Sequence, residues 1–215
     1  MTTLRRRQLP YDPYDREAAR RHLLGAEPVM RGIVKAVGPL EIELRGAAYQ
    51  SLMRALLYQQ LAGAAASAIE RRFLALYGGR QPKPDELLAT PQEKLREAGI
   101  SRQKAGYLYS LAEHTASGEL KDAYLRRLPD EELIETVTRV KGVGRWTADM
   151  LLMFCLGRPD VLPVGDLGIQ RGMERAYGLD GLPAAATMER IAQPWRPYRS
   201  AASWYLWRHS DTVTL

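Results

Sequence analysis

The sequence predicts an all-α fold, and three observations support this prediction. Apolar residues recur at helical spacing along most of the 215 residues, whereas alternating apolar and polar stretches are scarce. Capping and breaking residues stand between the periodic segments, as Ser101 and Gly78-Gly79 do. Only Leu40–Leu44 has the character of a short strand. We therefore expect two helical lobes with a cleft between them.

The predicted helices follow one another with short connections. Thr90-Pro91 begins one helix, Ser101 begins the next, and the acids after Pro129 favour a helix N-terminus by their interaction with its dipole. Gly178 ends a later helix. The predicted ranges are 15–24, 28–37, 47–61, 64–77, 91–98, 101–117, 120–126, 130–140, 144–156, 168–177, 187–193 and 198–207.

Three parts of the chain are expected. Residues 1–45 form a short N-terminal segment that packs on the core, residues 46–207 form the core, and residues 208–215 form a tail. The basic run Arg5–Arg7 is predicted to be a solvated end.

Composition restricts the function classes. The net charge of +6 and the isoelectric point near 9.5 permit nucleic-acid binding without requiring it. Cys155 is the only cysteine, so an internal disulfide, a cysteine-ligated zinc and an iron–sulfur cluster are excluded. The three histidines lack metal-type spacing. We expect no divalent metal and no organic cofactor.

No apolar run reaches the roughly 20 residues that a membrane-spanning helix needs. The first residues carry charge without a following apolar segment, unlike a secretory signal. The protein is therefore expected to be cytoplasmic, and associated with the nucleoid if it binds DNA.

A glycine hairpin joins two of the predicted helices over residues 133–156. Its connector is Lys141-Gly142-Val143-Gly144, followed by Arg145. Glycines permit unusual backbone angles and a close approach of another molecule, while N–H groups at a helix start favour phosphate. Lys141 and Arg145 add positive charge. This helix–hairpin–helix element predicts contact with a DNA backbone, although a plain glycine turn is the simpler alternative.

Asp166 follows the hairpin behind Leu162-Pro163-Val164-Gly165 and precedes a predicted helix. Its carboxylate, held behind the Pro-x-Gly turn, is a candidate functional group. An aspartate at this position is also a common helix N-cap.

The string Val-Lys-Gly-Val-Gly-Arg-Trp-Thr-Ala-Asp, together with the Leu-Pro-Val-Gly-Asp segment, resembles the helix–hairpin–helix (HhH-GPD) DNA glycosylases. Within that superfamily the chain is most similar to the 3-methyladenine DNA glycosylase II branch. The resemblance extends from about Ala47 to Trp207 and includes Gln59-Gln60-Leu61 and the Trp195–Ser200 segment. Longer members of the branch carry an N-terminal β-rich lobe, which we expect to be absent or reduced here.

The resemblance implies roles for individual residues. Asp166 matches the catalytic carboxylate, and Trp146 stands where bifunctional members carry a Schiff-base lysine, so we expect hydrolysis without lyase activity. The flipped base is expected to meet Trp146, Met150, Trp207 and Gln59. A core role is the alternative for the tryptophans.

The remaining implied sites concern the DNA gap and an ion. Gln60, or alternatively Leu61, is expected to fill the space that the flipped base leaves. The backbone carbonyls of Val140, Gly142 and Val143 are expected to hold a structural Na⁺ or K⁺. Lys104 and Arg102 are interpreted as helix-surface charges or as residues characteristic of the fold, rather than as residues that read the base.

The resemblance thus implies a monofunctional DNA glycosylase that releases alkylated bases of the 3-methyladenine and 7-methylguanine type from double-stranded DNA and starts base excision repair, with no obligate protein partner. One alternative is a non-catalytic helix–hairpin–helix protein that binds DNA damage. Another, a bifunctional 8-oxoguanine-type glycosylase/lyase, is opposed by Trp146. Asp166 distinguishes the enzyme from the binding protein, because a binding protein does not need a catalytic carboxylate.

Overall fold

The structure, a computed structural model, describes residues 15–61 and 63–213, with side chains through residue 210. Within these ranges all regular structure is helical, which confirms the all-α prediction. The α-helices are α1 Arg16–Ala26, α2 Pro28–Val37, α3 Ala48–Tyr58, α4 Gly63–Ala75, α5 Pro84–Leu88, α6 Gln92–Glu97, α7 Arg102–Ala116, α8 Asp122–Leu125, α9 Asp130–Thr138, α10 Arg145–Leu151, α11 Leu167–Tyr177, α12 Ala185–Ile191 and α13 Arg199–Val213.

Several predicted elements differ from the structure. The strand expected at Leu40–Leu44 is wrong: this stretch is irregular, and its alternation arises because Leu40 and Ile42 both pack into a helical core. The short helix α5 was not predicted. The helix expected over 144–156 is α10 followed by a π-helical turn, Leu152–Leu156. A 3₁₀ turn, Gln193–Trp195, precedes α13.

The helix ends show which capping signals are used. Ser101 caps α7 by accepting a hydrogen bond from the backbone N–H of Lys104. Thr90 does not cap α6, because Pro91 occupies the N-cap position; the Thr90 hydroxyl donates instead to the carbonyl of Glu86. Helix α13 continues to Val213, so residues 208–213 are helical rather than a tail. Arg5–Arg7 and residues 214–215 lie outside the described residues.

The chain divides into two compact units whose boundaries differ from the predicted segments. One unit comprises the chain up to Leu44 together with the chain from Leu152 onward, and the other comprises Arg45–Leu151. The predicted core over 46–207 is thus shared between them. Of the predicted site residues, Asp166 and Trp207 lie in the first unit and the others lie in the second. Each unit is described by itself below.

The first unit has a continuous apolar core. Helices α1, α2, α11, α12 and α13 supply most of it, and the fully buried Trp195 and Tyr205 are its largest side chains. The Tyr205 hydroxyl donates to the carbonyl of Gly38 at the end of α2. This packing fixes α11 and α13, the two helices that hold Asp166 and Trp207.

The second unit contains α3 to α10. Its buried residues include Leu52, Leu56 and Leu57 of α3 and Phe73 of α4. The side chain of Asp122 accepts a hydrogen bond from the backbone N–H of Ala48, so the start of α3 is tied to α8. This unit holds the glycine hairpin and the Gln59-Gln60 segment.

Candidate active site

Asp166 is the N-cap of α11, in the first unit. Its Oδ1 accepts a hydrogen bond from the backbone N–H of Ile169 at 2.8 Å and a second from the indole N–H of Trp207 at 2.9 Å. The residue is only 9% exposed. The carboxylate is therefore oriented by two donors on one oxygen.

The segment before Asp166 is held on both sides. The backbone N–H of Asp166 donates to the carbonyl of Pro163 and closes a turn, and the side-chain amide of Gln170 donates to the carbonyl of Val164. Further upstream, Asp160 is paired with Arg196 and Arg199. The Pro-x-Gly segment predicted to position Asp166 is thus fixed by α11 and by the start of α13.

Trp207 reaches Asp166 because α11 and α13 approach closely. A Cβ added at Gly168 would lie 3.0 Å from Oδ1 of Asp166 and 3.0 Å from Cδ1 of Trp207. A Cβ added at Gly172 would lie 3.2 Å from the hydroxyl of Ser210. The indole ring of Trp207 also packs against Phe154, with ring centroids 5.8 Å apart. Two glycines on α11 therefore make room for the Trp207–Asp166 hydrogen bond.

The glycine hairpin lies between α9 and α10, in the second unit. Gly142 has a φ of 83°, which favours glycine, and an added Cβ would overlap the ring of Tyr107. Gly144 differs, because among the described residues, its chain neighbours aside, no atom lies within 4 Å of an added Cβ. Packing against Tyr107 therefore explains why glycine occupies position 142, whereas Gly144 lies exposed on the surface of the unit. Lys141 is exposed beside them.

Arg145 is more engaged than the sequence suggested. Its guanidinium donates to both carboxylate oxygens of Glu131 and, through Nε, to Oδ1 of Asp149. Glu131 is 72% exposed, so this part of the pairing is weak. Asp149 is buried, and this burial raises its pKa to about 6 despite the opposing charge of Arg145. The predicted positive charge of Arg145 is thus partly compensated within the hairpin.

Gln59 and Gln60 occupy the turn that follows α3. The side-chain amide of Gln59 donates to the carbonyl of Gly142 at 2.8 Å, so this turn contacts the hairpin directly. Gln60 has a φ of 57°, and its side chain is exposed. Leu61 is half-buried. Among the residues predicted to enter the DNA, Gln60 is the more accessible.

Trp146 and Met150 lie one turn apart on α10. Trp146 is 47% exposed, whereas Met150 is half-buried. An exposed tryptophan at the start of a helix is unusual for a core residue, which weakens the alternative of a packing role. Trp204, on α13, packs edge-on against Tyr205 instead.

Comparison with known proteins identifies the family. Residues 53–197 match the model described as HhH-GPD superfamily base excision DNA repair protein. That match covers more than half of the chain and contains the hairpin, Trp146 and Asp166. The chain belongs to the HhH-GPD superfamily.

The relatives share most of the chain. DNA-3-methyladenine glycosylase 1 of Schizosaccharomyces pombe is 39% identical over 194 residues, covering 88% of this chain and 85% of the relative. A solved structure of the Schizosaccharomyces pombe 3-methyladenine DNA glycosylase in complex with abasic DNA superimposes with a TM-score of 0.79 at 38% identity, covering 92% and 97% of the two chains. The crystal structure of DNA-3-methyladenine glycosidase from Bacillus halodurans superimposes with a TM-score of 0.83 at 34% identity, covering 91% of this chain and 90% of that structure's chain.

The HhH-GPD assignment confirms the resemblance read from the hairpin and the Pro-x-Gly-Asp segment. No helix in the described part of the chain is long and apolar enough to cross a membrane. Among residues 15–61 and 63–213 no group of three or more His, Cys, Asp or Glu side chains is placed to hold a metal ion.

Sequence reasoning missed three features of this HhH-GPD site. Lys104 is not a surface charge: its ammonium donates to the carbonyl of Leu57 at 2.6 Å, and burial lowers its pKa. The sequence does not distinguish Gly168 from other helix residues, and it carries no signal that marks Asp149. The position of Lys104 in the first turn of α7, after the capping Ser101, can be predicted from the sequence. Its hydrogen-bond partner cannot, because that partner depends on how α3 packs against α7.

Proposed function

We propose that this protein is a monofunctional DNA glycosylase that releases alkylated bases from double-stranded DNA and so initiates base excision repair. Relatives at 38–39% identity over most of the chain are named for 3-methyladenine, and one is bound to abasic DNA. These names support 3-methyladenine as an expected lesion, and 7-methylguanine is the second lesion that the resemblance of the hairpin and Pro-x-Gly-Asp segments implies. The observation that carries the proposal is the buried Asp166 carboxylate, oriented by Ile169 and Trp207.

Asp166 supplies negative charge where the reaction builds positive charge. As the N-glycosidic bond breaks, the electron pair leaves with the base and the sugar becomes cationic. A carboxylate already oriented by two donors stabilises that cation without reorganising. It also accepts a proton from the attacking water, whose oxygen forms the new bond to the sugar. The products are a free base and an abasic site.

Hydrolysis without lyase activity follows from Trp146. A lyase needs an amine that attacks the sugar and forms a Schiff base. Trp146 stands at the corresponding position of α10 and has no such amine. The exposed indole instead offers a π-face, and an electron-deficient alkylated base binds well to such a face. Met150, on the same side of α10, adds an adaptable apolar contact.

The hairpin is proposed to bind the DNA backbone. Gly144 is exposed immediately before α10, and Lys141 is exposed in the same hairpin. A phosphate oxygen can accept hydrogen bonds from such backbone N–H groups. Contacts of this kind position the duplex and read no sequence, which suits a repair protein that must act anywhere in the genome.

A structural Na⁺ or K⁺ is proposed at the hairpin carbonyls, with a narrower set of ligands than the sequence suggested. The carbonyl of Gly142 already accepts a hydrogen bond from Gln59 at 2.8 Å. A donor N–H at that oxygen disfavours a cation there. The carbonyl of Val140 also accepts a hydrogen bond, from the Val143 N–H at 3.0 Å. Val143 is therefore the proposed ligand whose carbonyl takes part in neither of these bonds. Such an ion would offset carbonyl charge and stiffen the turn.

The test is base release from methylated duplex DNA under single-turnover conditions, comparing wild type with Asp166→Asn. Asparagine keeps the N-cap but not the charge, so the fold is retained. We expect release to fall by at least about 100-fold, the usual scale for removing one electrostatic stabiliser of a transition state, while duplex affinity is kept. Asp180→Asn, at an exposed position after α11, is the matched control. Full activity of Asp166→Asn would refute the assignment.

Two outcomes would favour other functions. If wild type binds damaged duplex but releases no base, the protein is a damage-binding module. If sodium borohydride traps a covalent protein–DNA adduct during turnover, an amine of this chain forms a Schiff base and the monofunctional assignment is refuted.

A further inference from the structure

The turn after α3 has a backbone that glutamine does not prefer. Gln59 has φ −53° and ψ 133°, Gln60 has φ 57°, and the Leu61 N–H donates to the carbonyl of Tyr58 at 3.4 Å. These values are those of a type II turn, whose third position favours glycine. Strained residues of this kind persist where surrounding contacts hold them, and they concentrate at functional sites.

Two side-chain hydrogen bonds tie the end of α3 and this turn to other elements. The Lys104 ammonium, from α7, donates to the carbonyl of Leu57 in the last turn of α3. The Gln59 amide donates to the carbonyl of Gly142 in the hairpin. Both bonds cross between elements that are distant in sequence, 47 and 83 residues apart respectively. The turn is thus fixed to α7 and to the hairpin.

A third contact holds the start of the turn. The hydroxyl of Tyr58 donates to Glu70 of α4 at 2.7 Å, and Arg54 donates to both carboxylate oxygens of Glu70. The Arg54 guanidinium also lies 4.3 Å from the centroid of the Tyr58 ring. The residue before Gln59 is therefore held by a network of its own.

We propose that Gln59 and Lys104 are positioning residues that hold the Tyr58–Leu61 turn in its strained form before DNA arrives, so that Gln60 is presented ready to enter the duplex. The bond from Gln59 to Gly142 also ties the inserting turn to the hairpin that binds the backbone. Gln60 then enters the duplex at a fixed distance from the phosphate that the hairpin binds. This inference rests on the proposed function, and it replaces the role in the base pocket that the sequence suggested for Gln59.

Preorganisation of this turn affects flipping rather than binding. A turn that is already formed loses little conformational entropy when it inserts, whereas a loose turn must be ordered at that step. Backbone contacts made by the hairpin do not depend on Gln60 and dominate affinity for intact duplex. Loss of an anchor should therefore weaken flipping while leaving binding of undamaged DNA nearly unchanged.

The experiment measures flipping by the fluorescence of 2-aminopurine placed next to a 1,N⁶-ethenoadenine or an abasic analogue in a duplex. We compare wild type with Gln59→Leu, which keeps the size of the side chain but removes the donor, and with Lys104→Met. A lost hydrogen bond should reduce the flipping equilibrium roughly 3- to 10-fold. The Kd for undamaged duplex should change less than about twofold. Gln92→Leu, at an exposed position on α6, is the matched control.

A second readout uses the protein without DNA. The Leu61 amide closes the turn, so its hydrogen exchange should be faster in Gln59→Leu than in wild type by a similar roughly 3- to 10-fold factor. Unchanged exchange would overturn the positioning role, as would wild-type flipping by Gln59→Leu. Equal losses for damaged and undamaged duplex would assign Gln59 to the hairpin alone. A wild-type protein that binds duplex and never flips a base would instead overturn the proposed function.

Discussion

Replacing Trp207 by phenylalanine tests how the carboxylate of Asp166 is held. Phenylalanine keeps an aromatic ring against Phe154 but removes the indole N–H that donates to Oδ1 of Asp166 at 2.9 Å. A hydrogen bond to a charged acceptor contributes about 1.5–3 kcal/mol, which corresponds to roughly 10- to 150-fold in rate. The backbone N–H of Ile169 still donates to the same oxygen at 2.8 Å, so we expect the lower part of this range.

The assay is single-turnover release of a methylated base, with Kd for an abasic-analogue duplex measured in parallel. We expect the rate of release to fall about 10- to 50-fold, because the carboxylate can rotate away from the sugar, while the Kd changes little. Trp204→Phe is the matched control, since this change is on the same helix and the Trp204 ring packs against Tyr205.

A second variant perturbs the Trp207–Asp166 contact from α11. Gly168→Ala would place a methyl group 3.0 Å from both Oδ1 of Asp166 and Cδ1 of Trp207, so one of the two must move. We expect a comparable loss of rate. Wild-type rates in both Trp207→Phe and Gly168→Ala would refute the positioning of Asp166 by Trp207. A weaker Kd for methylated duplex, with an unchanged rate of release, would assign Trp207 to base binding alone.

Two further predictions concern stability. Gln60→Gly should stabilise the protein by about 0.5–1 kcal/mol, because a left-handed backbone costs other residues roughly 1–2 kcal/mol and glycine's larger unfolded-state entropy offsets part of the gain. Urea unfolding measures this change in stability, and base flipping by the variant should fall. A variant less stable than wild type would contradict the strained turn. For Asp149, burial raises the pKa from 3.8 to about 6. Between about pH 4 and 6 the folded state therefore binds a proton that the unfolded state has lost, so the contribution of Asp149 makes the free energy of unfolding fall as pH rises through this range. At roughly 1.4 kcal/mol per pH unit this amounts to about 3 kcal/mol at most. Asp149→Asn should remove that slope and unfold at higher urea than wild type at pH 7, and an unchanged slope would show that Asp149 is not the group responsible.

The sequence by itself determined the helical class and the two motifs of the site. Periodicity and capping residues are local, so they placed most helices within a few residues, α2 among them. The hairpin glycines and the Pro-x-Gly-Asp segment are short contiguous strings, and the family match confirmed the resemblance that they carry. Trp146 could be placed for the same reason, because it lies in the hairpin string itself.

Only the tertiary structure decided which side chains act together. The hydrogen-bonded residues Asp166 and Trp207 are 41 positions apart in the chain, and Gln59 and Gly142 are 83 positions apart. Neither pair leaves a periodic or local signal in the chain, because each depends on how two helices pack. The same holds for Gly168, whose missing side chain matters only because α13 passes over it, and for Lys104, which becomes an anchor only where α3 ends beside α7. Local sequence specified the elements, whereas long-range packing oriented the carboxylate and held the strained turn.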